Sequence, residues 1–525
     1  MRDAAWQPGD TAWATYGARR AGLGPFATLT DAEGLRIELA GDSEGAVFMS
    51  GILVVPLDEA DRVVQLEAEQ AERFNAAWPV VDSEPRGDGL ERLGSFAAAR
   101  GETVWVELRA TSGGALAIEE PFRNGIHLPI RVRTGFRRLI RPYPQSPYLQ
   151  VAEQELRPAG KSVVDGQSLV LEIAVPDNAP PGAYNGTVTI GAETMPFAIN
   201  VGPVTLPPSS APAGVYLEDP PYHAWFDSDP VPDRACRLAT LASLGLHASA
   251  PPLTTPTPDD LDQFAGDVAL AYDALKNAAL VAYTPLKRLF AELDQAAALD
   301  ALRQAMDRGG DRLIWSAADE PSNVGPHGQS MLGQLAAIRD AVPDIRLAGH
   351  LNAPEDQRIA HHFDVALINP GYGIDASDLR ALDARGVDAW IYNTGPARLA
   401  TGFYGWRVGS SAYLLWHGML PTADPFDPTD GREGDAILLP LIGDPCSPVP
   451  TLDRRLIEIA EGVRDRRWLN WLDARAHIDP AAAALQSRIA EAVPDRWDLA
   501  KDALDDEALD GWRAEIAALA WEATQ

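Results

Sequence analysis

The feature that most constrains this chain is an alternation that begins after residue 213: eight short apolar runs, rich in β-branched and aromatic residues, are separated by stretches of helical sequence. The runs are Val215 to Glu218, His247 to Ala250, Ala278 to Tyr283, Arg312 to Ala318, Arg346 to Asn352, Val365 to Asn369, Val387 to Asn393 and Ala412 to Trp416. Strands that alternate with helices build a parallel sheet, and eight such repeats are what a closed (β/α)8 barrel requires. The expected fold class is α/β, a TIM barrel preceded by β-sandwich and followed by helices. In such a barrel the carboxyl ends of the strands carry the site, so polar residues at the ends of these runs are candidates before any chemistry is considered.

The flanks read differently. Residues 1–205 are β-rich, with short alternating runs such as Val104 to Leu108, Leu169 to Val175 and Gly186 to Ile190 punctuated by turn signals such as Pro180-Pro181-Gly182; this is the pattern of one or two sandwich units. The segment Leu206 to Pro212 has the composition of a stiff linker. The barrel is expected over 206–440. A C-terminal helical segment is expected over 441–525, where Leu452 to Leu472, Ala481 to Ala492 and Asp505 to Ala523 show apolar residues at helical spacing. A chain of 525 residues is too long for a single core, which agrees with this division.

The fourth run ends in two adjacent carboxylates and a proline, Asp319-Glu320-Pro321. Side chains alternate along a strand, so regular geometry aims only one of the pair inward. Pro321 ends the ladder, and beyond it both carboxylates can face one pocket. Two close carboxylates in a partly buried mouth push their pKa values apart, leaving one protonated as a general acid, which is the pattern of sugar hydrolysis. A retaining glycosidase ordinarily needs a second carboxylate across the ring as nucleophile. The later runs instead end Asn369-Pro370-Gly371-Tyr372, Tyr392-Asn393 and Trp416-His417, all aromatic or amide. Substrate-assisted hydrolysis dispenses with that carboxylate, because the 2-acetamido group of the sugar is the nucleophile.

The chain resembles glycoside hydrolase family 123 and the domains of unknown function around it. The resemblance lies in Leu171-Glu172-Ile173-Ala174-Val175-Pro176 followed by Pro181-Gly182-Ala183-Tyr184-Asn185-Gly186, in Asp319-Glu320-Pro321, in Trp390-Ile391-Tyr392-Asn393, in Trp406-Arg407 and Tyr413 to Trp416, and in the late segment Arg454 to Trp471. It implies an N-terminal sandwich and a retaining β-N-acetylhexosaminidase of galactosamine type, with Asp319 orienting the acetamido group and Glu320 the acid, later the base, around an oxazolinium intermediate. The alternatives are a two-carboxylate glycosidase or transglycosidase on a sugar without an acetamido group, for which Asp424, Asp427 and Asp430 are the remaining carboxylates, and a non-catalytic carbohydrate-binding protein.

Sugar rings stack their apolar faces on aromatic rings while amides meet their hydroxyls. The expected substrate-binding residues are Tyr392 and Trp416 first, then Trp390, Asn393, Trp406, Tyr372 and Asn352. Trp390 and Tyr392 share one strand face, so both point into the barrel or both point at the helices. His350 and His417, at strand ends, read as hydrogen-bonded wall residues. No cofactor and no metal are expected: His361-His362 would point about 100° apart on a helix, a poor fit to one ion.

A formal charge of −31 and a pI near 4.6 leave no concentrated basic face for nucleic acid or anionic lipid. The Arg131 to Arg141 stretch is expected to pair with carboxylates within a strand. No run is long enough to cross a membrane, so the expected partner is a glycan or glycoconjugate, with oligomeric state undetermined. Cys236 and Cys446 lack metal-ligand spacing and are expected as two buried free thiols. The N-terminal residues lack the apolar stretch of a secretory signal, which places the chain in the cytoplasm as written, or outside it if a leader has been trimmed.

Overall fold

The computed structural model describes residues 51–54, 64–67, 80–83, 91–92, 95–140, 148–217, 231–276, 279–324, 328–419, 438–439 and 444–522. Two sheets precede the barrel. The first runs in the order Leu452–Asp453, Tyr148–Pro158, Ile130–Ile140, Ser168–Ala174, Thr103–Arg109 and Glu91–Arg92, with Val80–Ser83 also pairing with Tyr148–Pro158. The second is built on Gly114–Arg123, Gly182–Ile190, Glu193–Thr205 and Ser95–Arg100. Alternation sends Val104, Val106, Leu171 and Ile173 of the first sheet and Tyr184, Val188, Ile199 and Val201 of the second into one shared core. The intervening residues Trp105, Leu156 and Val170 point the other way and join the core around the barrel. The first sheet is thus covered on both faces. Arg131 and Arg133 pair with Glu172 across neighbouring strands at 2.8 and 2.5 Å, as expected for that arginine-rich stretch.

All eight runs become strands of a closed parallel barrel: β1 Ala213–Tyr216, β2 Ala248–Ala250, β3 Ala279–Ala282, β4 Ile314–Asp319, β5 Arg346–Leu351, β6 Val365–Ile368, β7 Asp388–Tyr392 and β8 Ala412–Leu415. Pairing of Ala213 with Tyr413 closes β1 on β8. Inward residues, among them Tyr216, Ala250, Val281, Ile314, Ala348, Leu367, Trp390, Tyr392 and Leu414, fill the barrel as a packed core. Outward residues such as Trp315 and Leu347 meet the helices.

The C-terminal segment does more than close the barrel. Its first strand, Leu452–Asp453, completes a sandwich sheet, and the following helix, Arg454–Ala476, lies between sandwich and barrel. Gly462 permits a close crossing there, because a Cβ would sit 2.7 Å from the carbonyl oxygen of Arg398. Arg464 and Trp468 of this helix both reach the Glu102 carboxylate, at 2.6 and 2.9 Å, and Arg398 pairs with its Asp465 at 2.8 Å. The linker is strapped to the same helix, since Arg467 donates to the carbonyls of Leu206 and Pro207 and Asn470 to that of Pro208.

The expectation of free thiols is corrected: Cys236 and Cys446 form a disulfide across 210 residues, and Cys446 is exposed. Sequence distance hid the pairing. Cys236 lies on the helix after β1 and Cys446 follows β8, and barrel closure makes those two strands neighbours.

Candidate active site

Strand β4 does not keep its pleat to Pro321. Ser316 pairs with Ala348, but Ala318 pairs with Gly349 and Asp319 with His350, so Ala317 is an extra residue, a β-bulge. Ala348 points into the barrel, and His350, two residues on, shares that face. Gly349 points out, where a Cβ would meet the Phe363 ring at 2.6 Å. The bulge therefore reverses the parity of β4, placing Ala318 outward and Asp319 inward. Glu320 follows with φ of +43°, in the left-handed region, and its N–H donates to the His350 carbonyl at 2.9 Å. One inserted residue and one left-handed residue turn two adjacent carboxylates into one mouth, which an unbroken strand cannot do.

Each carboxylate has a phenol partner. The Tyr283 hydroxyl, at the end of β3, donates to Asp319 Oδ2 at 2.9 Å. The Tyr392 hydroxyl, at the end of β7, is hydrogen-bonded to the Glu320 side chain. Asn369 donates to Tyr392 Oη at 3.4 Å. Burial first, and then the negative charges of Glu320, Asp319 and Asp356, hold the Tyr392 phenol far above its usual range, so it remains a donor. Burial also pushes the His350 imidazole below its usual pKa, against the opposing pull of Asp319. Behind the pair, buried Asp356 accepts from the N–H groups of Asn352 and Ala353 at 3.1 and 3.2 Å and from the Ser322 hydroxyl at 3.3 Å. This ties the turn after Pro321 to the loop after β5.

An aromatic floor lies beneath the carboxylates. Tyr216 of β1 sits 5.3 Å from Tyr283, 5.2 Å from Trp416 and 5.8 Å from His350, ring centre to ring centre, and Tyr283 is 5.5 Å from Trp416. The structure brings Asp319, Glu320, Tyr392 and Trp416 together as the sequence suggests. Asn393, exposed with φ of +49°, accepts from the Trp416 N–H at 2.7 Å and so sets the start of the turn after β8. Asn352 receives the Ser322 hydroxyl at 3.2 Å. Trp390 faces inward with Tyr392 and both belong to the barrel core, with Trp390 two residues further from the carboxyl end of β7.

Two expected binding residues lie elsewhere. Trp406 is on the helix Phe403–Val408 and donates to Asp473 of the helix Arg454–Ala476 at 2.9 Å. Tyr372 is buried in the apolar layer outside the barrel, with burial raising its phenol to about 12. Both follow a strand end in sequence, yet the chain has already turned toward the helices. Asp424, Asp427 and Asp430 lie outside the described residues. Sequence inspection missed Tyr216 and the pairing of Tyr283 with Asp319. Inward parity on β1 would have indicated Tyr216; the Tyr283 contact depends on the bulge.

No family model and no curated protein matches the chain. Among solved structures, a family 123 glycoside hydrolase from Clostridium perfringens, described for glycolipid glycan hydrolysis, superposes with a TM-score of 0.62 at 13% identity, covering 83% of this chain and 96% of its own. The resemblance carried by the residues is thus matched by a likeness of fold that spans 83% of this chain. A β-galacturonidase from Eisenbergiella tayi (TM-score 0.30, 12% identity, 69% of each chain) and a β-D-glucuronidase from Dictyoglomus thermophilum (TM-score 0.27, 12% identity, 58% of this chain and 62% of that one) are more distant.

Proposed function

We propose that this chain is a retaining glycoside hydrolase that removes β-linked N-acetylhexosamine, of galactosamine type, by substrate assistance. The observation that carries the reading is the adjacent Asp319–Glu320 pair turned into one barrel mouth, each carboxylate held by its own tyrosine. A second carboxylate does not face them at the described ends of β5 to β8; Asp356 is buried and its Oδ2 is committed to backbone N–H groups. The solved family 123 fold supports the same class, and glycolipid glycans are accordingly among the substrates to test.

In the first step Glu320 donates its proton to the glycosidic oxygen while the acetamido carbonyl oxygen bonds to the anomeric carbon. The bond to the aglycone breaks, the aglycone leaves as an alcohol, and an oxazolinium ring remains. Asp319 accepts the acetamido N–H and stabilises the positive charge that develops there, a gain realised mainly in the transition state. Tyr283, donating to Asp319, fixes that carboxylate in place. Glu320, now ionised, takes a proton from water as it attacks the same carbon, and opening of the ring restores the acetamido group with configuration retained. Trp416 and the Tyr283 ring offer the apolar platform for the sugar face. The Cys236–Cys446 bond supports residence in an oxidising compartment outside the cytoplasm.

The test is release of nitrophenol from aryl β-GalNAc and β-GlcNAc against the galactoside and glucoside, with inhibition by a thiazoline mimic of the oxazolinium. Turnover confined to acetamido sugars, thiazoline inhibition, and loss of at least about a hundredfold in kcat in Asp319→Asn and Glu320→Gln are expected. Turnover of plain sugars that thiazoline leaves untouched would overturn substrate assistance. Glycan binding that survives both substitutions, without turnover of any glycoside, would make this a binding protein.

A further inference from the structure

Building on that reading of the carboxylate pair, we propose that His350 is its positioning residue: the ring and the backbone carbonyl of this one residue hold the bulge and the left-handed turn that aim Asp319 and Glu320 into the mouth. His350 sits on β5 directly opposite Asp319, and its side chain is 1% exposed. Its Nδ1 lies 3.3 Å from the carbonyl oxygen of Ala318 and 3.1 Å from Ser316 Oγ, so it reaches both sides of the inserted Ala317. A carbonyl only accepts, which assigns the ring proton to Nδ1. One residue further on, the His350 carbonyl receives the Glu320 N–H at 2.9 Å.

These contacts answer a physical need. A bulge removes residues from the regular ladder, and the polar groups it displaces must find partners. The left-handed Glu320 is strained and persists only where its surroundings over-determine it. His350 supplies a donor on one side of Asp319 and an acceptor on the other. Its Nε2 has no partner among the described residues, and the rings of Tyr283, Tyr392 and Tyr216 lie 4.9, 5.7 and 5.8 Å from the imidazole, centre to centre, so this nitrogen takes no part in holding the turn.

Asn carries an amide N–H near the place of Nδ1, whereas Gln places its head group near Nε2, and Leu fills space without polarity. The experiment compares His350→Asn, His350→Gln and His350→Leu in the full chain, by kinetics on aryl β-GalNAc, thermal unfolding and crystallography. Gln and Leu are expected to lose about a hundredfold in kcat, the scale of a misplacement near 1 Å, with KM within about threefold, and to show Ala317 or Glu320 rearranged. Asn is expected to keep kcat within about fivefold, with the bulge and the positive φ intact. Wild-type kcat in Gln or Leu would overturn the proposal, as would an unchanged bulge and turn in the crystal structure of either, or an Asn variant as damaged as Leu. Should wild-type protein turn over no glycoside, the hydrolase reading fails while the crystal structures still decide the role of His350.

Discussion

Glu320 holds a left-handed backbone although it carries a Cβ, and the cost is set against the work of pointing its carboxylate at Tyr392. Two variants that both delete the carboxylate separate these effects: Glu320→Gly should be about 1 kcal/mol more stable than Glu320→Ala in denaturant titrations, because glycine adopts positive φ freely. Equal stabilities would mean that the turn carries no strain. His417 gives a second case. Its Nδ1 accepts the Met419 N–H at 2.8 Å, and burial lowers its pKa to about 3 from an ordinary value near 6.5. Between those pH values the unfolded chain binds a proton that the folded one does not, so stability falls as pH drops below 6.5, by about 1.4 kcal/mol per pH unit for this group. His417→Asn, whose amide oxygen can accept the same N–H, should make the fall between pH 6 and pH 4 shallower by that amount in urea titrations. At this scale position alone marked Asp319 and Glu320 in the sequence. Trp406 and Tyr372 misled because proximity to a strand end does not say which way the chain turns next.

The helix Arg454–Ala476 is the element on which sandwich sheet and barrel meet. Glu461, Arg464, Asp465 and Arg466 are all buried on it; the first three are held in ion pairs, while Arg466 donates at 3.4 Å to the Ser210 hydroxyl and the Ser410 carbonyl. Arg398 answers Asp465 at 2.8 Å and Asp510 at 2.7 Å, and Arg513 adds a contact to Asp465 at 3.0 Å. Arg398→Met should therefore cost about 3–5 kcal/mol in unfolding free energy, since it leaves Asp465 half-paired and buried. Adding Asp465→Leu should recover part of that loss; no recovery would place the damage in packing rather than charge. Helical periodicity announced this element over Leu452 to Leu472, close to its observed span, but not its surroundings, because pairing partners such as Glu102 and Arg398 are distant in the chain.

Across the whole molecule, barrel closure joins what the sequence separates. The Cys236–Cys446 bond encloses 210 residues, nearly the entire barrel, and tethers the segment that leads into the sandwich strand Leu452–Asp453. By the chain-entropy estimate, Cys236→Ser should lower stability by about 5 kcal/mol while the folded variant keeps its site; calorimetry with and without reductant measures this, and an unchanged transition would show that the segment is held by its other contacts alone. The strand runs, the sandwich strands, the closing helices and the carboxylate pair were determined by the sequence itself, because each rests on local periodicity or on adjacency. Only the tertiary structure decided that Asp319 faces inward, that Tyr283 and Tyr392 hold the pair, that the thiols are joined and that a late strand completes the early sandwich. A bulge exists only relative to a neighbouring strand, and a partner is chosen by closure of the barrel, so neither is written in any single stretch of chain.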